Sequence, residues 1–130
     1  MPLRNKNVPI FRPGAVPSVL AKTDVLAGRF IDVTTDGVDA TTQLTNAGYP
    51  AADAVGIVGV AMHDAPAGRE VAVWHTGVVE VTASAAITAG AFVGTTATGQ
   101  AKVAASAAAA VGKAWSNAAS GAVVRVQLFN

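Results

Sequence analysis

Cysteine is absent from this 130-residue chain, charged residues make up only 13% and aromatic residues only 5%. Each shortage excludes something. Without cysteine there is no disulfide framework, no thiolate nucleophile and no cysteine-based metal site. Typical soluble domains carry about 25% charged residues, so this chain is charge-poor. A formal charge of +1 argues against nucleic-acid binding driven by overall charge, though not against a local patch. Large aliphatic side chains are also few: 5 Leu and 4 Ile stand against 29 Ala and 20 Val. A large Leu/Phe core is therefore out of reach. The longest charge-free stretch, Val81 to Ala101, is full of Thr, Ser and Gly, which argues against a transmembrane helix. The start, Met1-Pro2-Leu3-Arg4-Asn5-Lys6, is basic, but Pro9, Pro13 and Pro17 break up the residues after it, so no signal peptide is expected. The length fits one domain. Its Ala/Thr/Gly/Val texture suits a protein that hides surface against neighbours.

Two regions differ in character. Residues 1–22 hold Pro2, Pro9, Pro13 and Pro17 and the basic residues Arg4, Lys6, Arg12 and Lys22, with no acid. Proline removes backbone donors and fixes φ, which predicts an extended segment rather than a helix or central strand. A solvated tail is the simple reading. The apolar residues Leu3, Val8, Ile10 and Phe11 favour instead an arm that docks on a partner. Residues 23–130 form the body, and their signal is β. Strands are predicted at 28–34, 41–45, 55–62, 70–74, 78–82, 92–94, 100–103, 111–115 and 122–129, separated by Gly turns. Helical turns are expected at most near 51–54 and in the Ala104–Ala110 run. The fold class is therefore all-β, a small barrel or sandwich with an extended N-terminal arm.

An internal repeat stands above composition. Residues 59–73 align without gaps on residues 112–126, with Gly, Ala, Ala, Gly, Val and Val matching. The unit is a strand with a close-packed Gly-x-Ala, a tight turn, then an alternating strand. Two copies are too few for a solenoid and suit a barrel with two similar corners.

Candidate chemistry is sparse. His63-Asp64 and Trp74-His75 hold both histidines, and no Gly-x-Ser-x-Gly accompanies them, so a serine triad is not expected. His63, Asp64 and His75 match no metal-ligand spacing, although paired strands could bring them together. There is no phosphate-binding loop and no calcium loop. The expectation is a non-enzyme with no catalytic or metal site and no cofactor. The scattered aromatics do not form a stacking platform for single strands. Trp74, Trp115 and Phe129 are candidate core or subunit-contact anchors. From Phe30 to Glu80 there are seven acids against Arg69 alone. The basic arm thus suits an acidic surface, either on a sister copy or on a scaffold.

The stretches Gly59-Val60-Ala61, Asp64-Ala65, Ala67-Gly68, Val71-Ala72-Val73 and Gly77-Val78-Val79-Glu80-Val81 resemble the capsid decoration, or cement, proteins of tailed bacteriophages. Ile87-Thr88-Ala89-Gly90, Val111-Gly112-Lys113-Ala114 and Val124-Arg125-Val126-Gln127-Leu128 continue the pattern, so the resemblance covers roughly residues 24–130. It implies a β-barrel of the β-tulip type. It further implies a homotrimer on the outer surface of the virion, at three-fold or quasi-three-fold positions, which stabilises the head by bridging subunits of the major capsid protein. Nucleic acid and membrane are not expected partners. Leu3, Arg4, Lys6, Val8, Ile10, Phe11 and Arg12 would form the capsid-binding arm. The alternatives are another virion component or a glycan-binding β module, which would expose Trp74 or Trp115.

Overall fold

The computed structural model describes residues 17–130. Strands β1 (Ser18–Ala21), β2 (Phe30–Val38), β3 (Thr45–Gly48), β4 (Gly59–Ala61) and β5 (Glu70–Trp74) close into a barrel in the order β1-β3-β2-β4-β5. Strands β6 (Val78–Thr82), β7 (Phe92–Thr95), β8 (Ala101–Val103), β9 (Gly112–Ala114) and β10 (Val123–Leu128) form a second sheet in the order β6-β10-β9-β7-β8. A parallel bridge from Ala83 to Ala101 links the end of β6 to β8. The second sheet therefore curls toward the same closure as the first.

The composition is explained by this architecture. A five-stranded barrel has a narrow interior, which side chains mostly of Val and Ala size fill. One core holds Val19, Val25, Ile31, Val71 and Val73 with Ala21, Ala47, Ala61 and Ala65. The other holds Val81, Val93, Val111, Val124, Val126 and Leu128 with Ala83, Ala101 and Ala114. Fully burying one such Val contributes about 1.5–3 kcal/mol. Alternation does the sorting: β10 reads exposed, buried, exposed, buried from Val123 to Leu128, as a strand with one wet face should.

The two sheets are copies of one unit, and the repeat extends well beyond residues 59–73. In the first, Ala61 pairs with Val73 across β4 and β5; in the second, Ala114 pairs with Val126 across β9 and β10. Val19 opposite Val71 corresponds to Val81 opposite Val124. The bridge between Val25 and Ala65 corresponds to that between Ile87 and Ala118. Side-chain ties repeat as well. Asp64 Oδ1 accepts from the Ala27 N–H at 2.8 Å, and Asn117 Oδ1 accepts from the Ala89 N–H at 2.8 Å. His63 Nε2 accepts from the Ala72 N–H, and Ser116 Oγ does the same for Arg125. Both β-hairpins need glycine at their close approach. A Cβ on Gly112 would lie 2.5 Å from the Gln127 carbonyl oxygen, and one on Gly59 would strike the Trp74 carbonyl.

The units are tied at a shared seam. Phe30 N–H donates to the Gly99 carbonyl at 2.7 Å, and Thr82 N–H donates to that of Gly28 at 2.9 Å. Lys102 reaches Asp53 at 2.6 Å, and the Asn130 side-chain amide donates to the Val58 carbonyl at 2.9 Å. Phe30, fully buried, packs with Val60 into the core of the second unit.

Several sequence expectations change. Part of the expected arm, Ser18–Ala21, is strand β1, held by β3 on one side and β5 on the other. Pro17 comes just before this strand rather than inside it, so it costs no ladder bond. The strand expected at 41–45 is a turn, and the strand lies at Thr45–Gly48, where a loop is the sequence reading. The stretch 55–62 contributes only Gly59–Ala61 to the sheet. The turn at 51–54 carries one bond, from the Ala54 N–H to the Ala51 carbonyl, and is not helical. The alanine run does contain a short 3-10 turn, Ala107–Ala109.

Candidate functional site

The second unit presents an outer face that carries large apolar side chains. Cross-strand register lines up Val78, Gln127, Lys113 and Phe92 on four adjacent strands. Phe129 lies just past the end of β10, on the same face as Gln127. Its ring meets Phe92 edge-on, with centroids 6.1 Å apart and planes at 71°, a favoured aromatic geometry. The Trp115 indole N–H donates to Gln127 Oε1 at 3.1 Å, which fixes the ring beside the row. Phe92, Trp115 and Phe129 are 52%, 59% and 48% exposed. Clustered large apolar groups that remain open to water mark an interaction surface.

An open groove of about 580 Å³ runs along the seam between the units. Trp74 from the end of β5, Met62 after β4, Val78 and Glu80 of β6 and Val123 of β10 line it. Trp74, Val78 and Val123 are each two-fifths to half exposed. Val78 belongs to both the groove and the aromatic row.

Trp74, Trp115 and Phe129 therefore lie outside both cores, and their aromatic area is available for contact. Leu3, Arg4, Lys6, Val8, Ile10, Phe11 and Arg12 lie outside the described residues. The sequence reading missed Phe92, Val78 and Val123. The signal for Phe92 was present: Val19, Ala21, Ala27, Gly28 and Phe30 match Val81, Ala83, Ala89, Gly90 and Phe92. That alignment pairs a buried Phe30 with an exposed Phe92.

Charge is divided among three regions. Residues 1–22 carry four positive side chains and no negative one; residues 23–80 carry eight acids against Arg29 and Arg69; residues 81–130 carry Lys102, Lys113 and Arg125 with no acid. Lys22 is engaged within the barrel. It donates to Asp36 at 2.9 Å, and this bond and the nearby negative charge hold its ammonium above the usual lysine range. Asp39 caps its own turn. Its Oδ2 accepts from the Thr42 N–H and hydroxyl and from the Thr41 N–H, which keeps the carboxyl below the usual aspartate range.

His63 is occupied by the backbone. Nε2 accepts from Ala72, and Nδ1 lies 3.0 Å from the Asp64 carbonyl oxygen. The tautomer that satisfies both contacts has its proton on Nδ1. Among the described residues no group of three His, Asp or Glu side chains gathers as a metal site, and no helix is long and apolar enough to cross a membrane.

The closed barrel, the second sheet that repeats its pairing and the exposed aromatic face describe an all-β protein with an open apolar surface. The sequence profile of the family described as phage cement protein matches residues 13–128. The chain belongs to that family, and it is a structural protein of the phage capsid, associated with the virion. Among solved structures it is similar to the head fiber gp8.5 N base of bacteriophage phi29. The TM-score is 0.73 at 20% identity, over 88% of this chain and 92% of that one. At that identity the likeness speaks for the fold. No curated protein matches the chain.

Proposed function

We propose that this protein is a homotrimer on the outer surface of the head, where it bridges major capsid subunits at three-fold or quasi-three-fold positions. The observation that carries this reading is the open face of Phe92, Trp115 and Phe129 on a protein of the cement family. Such a protein acts by adding contact free energy across capsid seams. A trimer on a repeated lattice multiplies weak contacts through effective concentration. The N-terminal arm, with Leu3, Arg4, Lys6, Val8, Ile10, Phe11 and Arg12, engages capsid subunits. An extended arm of this kind can add a strand to an exposed sheet edge. The arm's basic character suits an acidic surface and steers its approach.

Removing residues 1–16 leaves Pro17, whose carbonyl accepts from Val73, and so keeps β1 in the barrel. The truncated protein is expected to fold and to lose binding to heads in co-sedimentation. Undiminished binding refutes the arm. Electron microscopy of decorated heads tests the rest: density centred away from three-fold positions, or inside the shell, refutes the bridging arrangement.

A second reading, a glycan-binding module, is favoured by one observation: Trp115 is exposed and fixed by Gln127, as a sugar-stacking indole would be. Saturable binding on a glycan array that Trp115→Ala abolishes would support it, and an empty array would exclude it.

A further inference from the structure

The two units differ in what covers them. In the first, Phe30 of β2 is fully buried because the second unit lies over it. The tight β7–β8 turn of that second unit supplies part of the cover. Its Gly99 carbonyl accepts from the Phe30 N–H at 2.7 Å, and its Thr98 carbonyl accepts from the Arg29 guanidinium at 3.3 Å. Phe92 of β7 is the equivalent residue, and it is half exposed. Among the described residues no carbonyl of another unit accepts from its N–H. Lys113, Phe129 and Trp115 belong to the same open face. Arg125 stands opposite Glu80 in the β6–β10 register. The exposed Lys113 makes no ion pair among the described residues. The face is therefore apolar, with one uncompensated positive charge.

The first unit carries a feature that the second lacks. In the second, Thr95 opposite Ala101 closes on residues 96–100; in the first, Val33 opposite Ala47 leaves residues 34–46 to form a long β2–β3 hairpin. None of residues 33–45 is buried, and Val33 and Val38 leave apolar area in water. Residues 32–46 hold Asp32, Asp36 and Asp39 and no Lys or Arg. Lys22 meets Asp36. Among the described residues Asp32 and Asp39 accept from N–H and hydroxyl groups of the hairpin itself and meet no cation within ion-pair distance, so their negative charges are not balanced. The other polar contacts of the hairpin, from Thr34 to Asn46 and from Gln43 to Ala40, also stay within the first unit.

We propose that the β2–β3 hairpin of one copy docks on the Phe92 face of a second copy. It takes there the place that the β7–β8 turn takes over Phe30 within one chain. Val33 and Val38 lie against Phe92, Trp115 and Phe129, and Lys113 faces the hairpin's aspartates. A second copy is the occupant because this chain carries both complementary halves: an acidic hairpin with open apolar side chains, and an open apolar face with a free cation. Two like faces brought together would instead set Lys113 against Lys113, and like-charge juxtaposition is unfavourable. The contact joins different surfaces of the two copies, so its repetition closes a ring when the rotation permits. The inference rests on the homotrimer proposed above and assigns the surfaces that join its copies.

Sedimentation velocity of the full chain, off the capsid and over a range of concentrations, reads the contact. Phe92→Ala is expected to raise the dissociation constant of the assembly roughly tenfold, as loss of a central aromatic anchor does. Lys113→Glu and Ala40→Lys are each expected to weaken assembly by placing like charges together. Their combination is expected to recover most of the loss, because the two new charges attract, and such non-additivity is the signature of direct contact. Ala40 is exposed on the hairpin and offers only its carbonyl to Gln43, so the exchange leaves the turn's bonds in place. Far-UV circular dichroism verifies the fold of each variant. Assembly that ignores Phe92→Ala, or charge variants whose effects merely add, overturns the contact and leaves the homotrimer standing. A wild-type chain that stays monomeric at every concentration overturns both. Co-sedimentation with heads is measured separately. A Phe92→Ala protein that assembles as wild type but no longer binds heads gives the face to the capsid and overturns the contact alone. Copies that assemble through the charge-swapped pair and yet leave heads undecorated, as wild type does, support the contact and refute the capsid reading alone.

Discussion

Replacing Gly112 with alanine tests the close approach on which both units are built. A Cβ there would lie 2.5 Å from the Gln127 carbonyl oxygen and 2.5 Å from a Val126 methyl. The Gln127 oxygen is backbone, paired in the β9–β10 register with Lys113, so it cannot swing aside as a flexible side chain would. Overpacking of a tight core costs typically about 1–3 kcal/mol, and a backbone obstacle places this case near about 3 kcal/mol. For a domain of this size each kcal/mol lowers Tm by about 4 °C, so a fall of about 12 °C is expected. Gly59→Ala meets the equivalent obstacle, the Trp74 carbonyl, and should cost a similar amount. The control is Gly56→Ala, an exposed site where nothing lies within 4 Å and φ is not positive. There alanine should be neutral or stabilise by about 0.4–1 kcal/mol through the unfolded chain. The two damaging sites sit in different sheets, so their effects should add. The double variant would then lose about 6 kcal/mol, a large share of the roughly 5–15 kcal/mol available to a domain. Thermal melts tracked by far-UV circular dichroism, at one fixed protein concentration, read the series. If Gly112→Ala melts with Gly56→Ala, the packing argument is wrong.

Three further predictions use the comparison between units. Phe30→Ala removes a fully buried ring at the seam and should cost about 3–5 kcal/mol; Phe92→Ala, at the matching but half-exposed position, should cost about 1 kcal/mol, as urea titration would show. His63→Ala orphans the Ala72 N–H and should cost about 1 kcal/mol, whereas His63→Ser borrows the solution of Ser116 and should recover most of the loss in the same titration. Asp39 is held below its ordinary value by bonds from Thr42 and Thr41, so its contribution is present above the unfolded aspartate value of 3.8 and is lost as pH falls through the lower folded value. The stability gap between wild type and Asp39→Asn should therefore close on acidification, and a gap constant from neutral to strongly acid pH would refute the role of the turn.

How far the sequence disclosed this structure varied by element. Strands with alternating side chains, such as β5, β6 and β10, were legible because one face of each is buried and the other is wet. The hairpin repeat was legible because Gly59, Ala61 and Gly68 recur at equal spacing as Gly112, Ala114 and Gly121. The first part, residues 19–30 on 81–92, matches at a different spacing, since the stretches between β2 and β4 and between β7 and β9 differ in length. That difference breaks an ungapped alignment. Strand β1 was hidden by its setting among prolines, although Val19, Leu20 and Ala21 are as buried as any core strand. Strand β3, of sequence Thr-Asn-Ala-Gly, has no strand-forming composition. It is held in place by pairing with β1 and β2. The exposure of Trp115 and Trp74 could not be read from local sequence, because which aromatic is covered depends on where the second unit lies.

The placement of β1 has a mechanical consequence. A tension applied to residues 1–16 and directed along the strand would reach the barrel through Pro17. The bonds that hold β1 to β3 and β5 lie across that direction, so they are loaded in shear and must yield together rather than peel one at a time. The same four-residue strand that looks too short to matter, Ser18–Ala21, thus becomes the clamp through which any pull on the arm passes into the body.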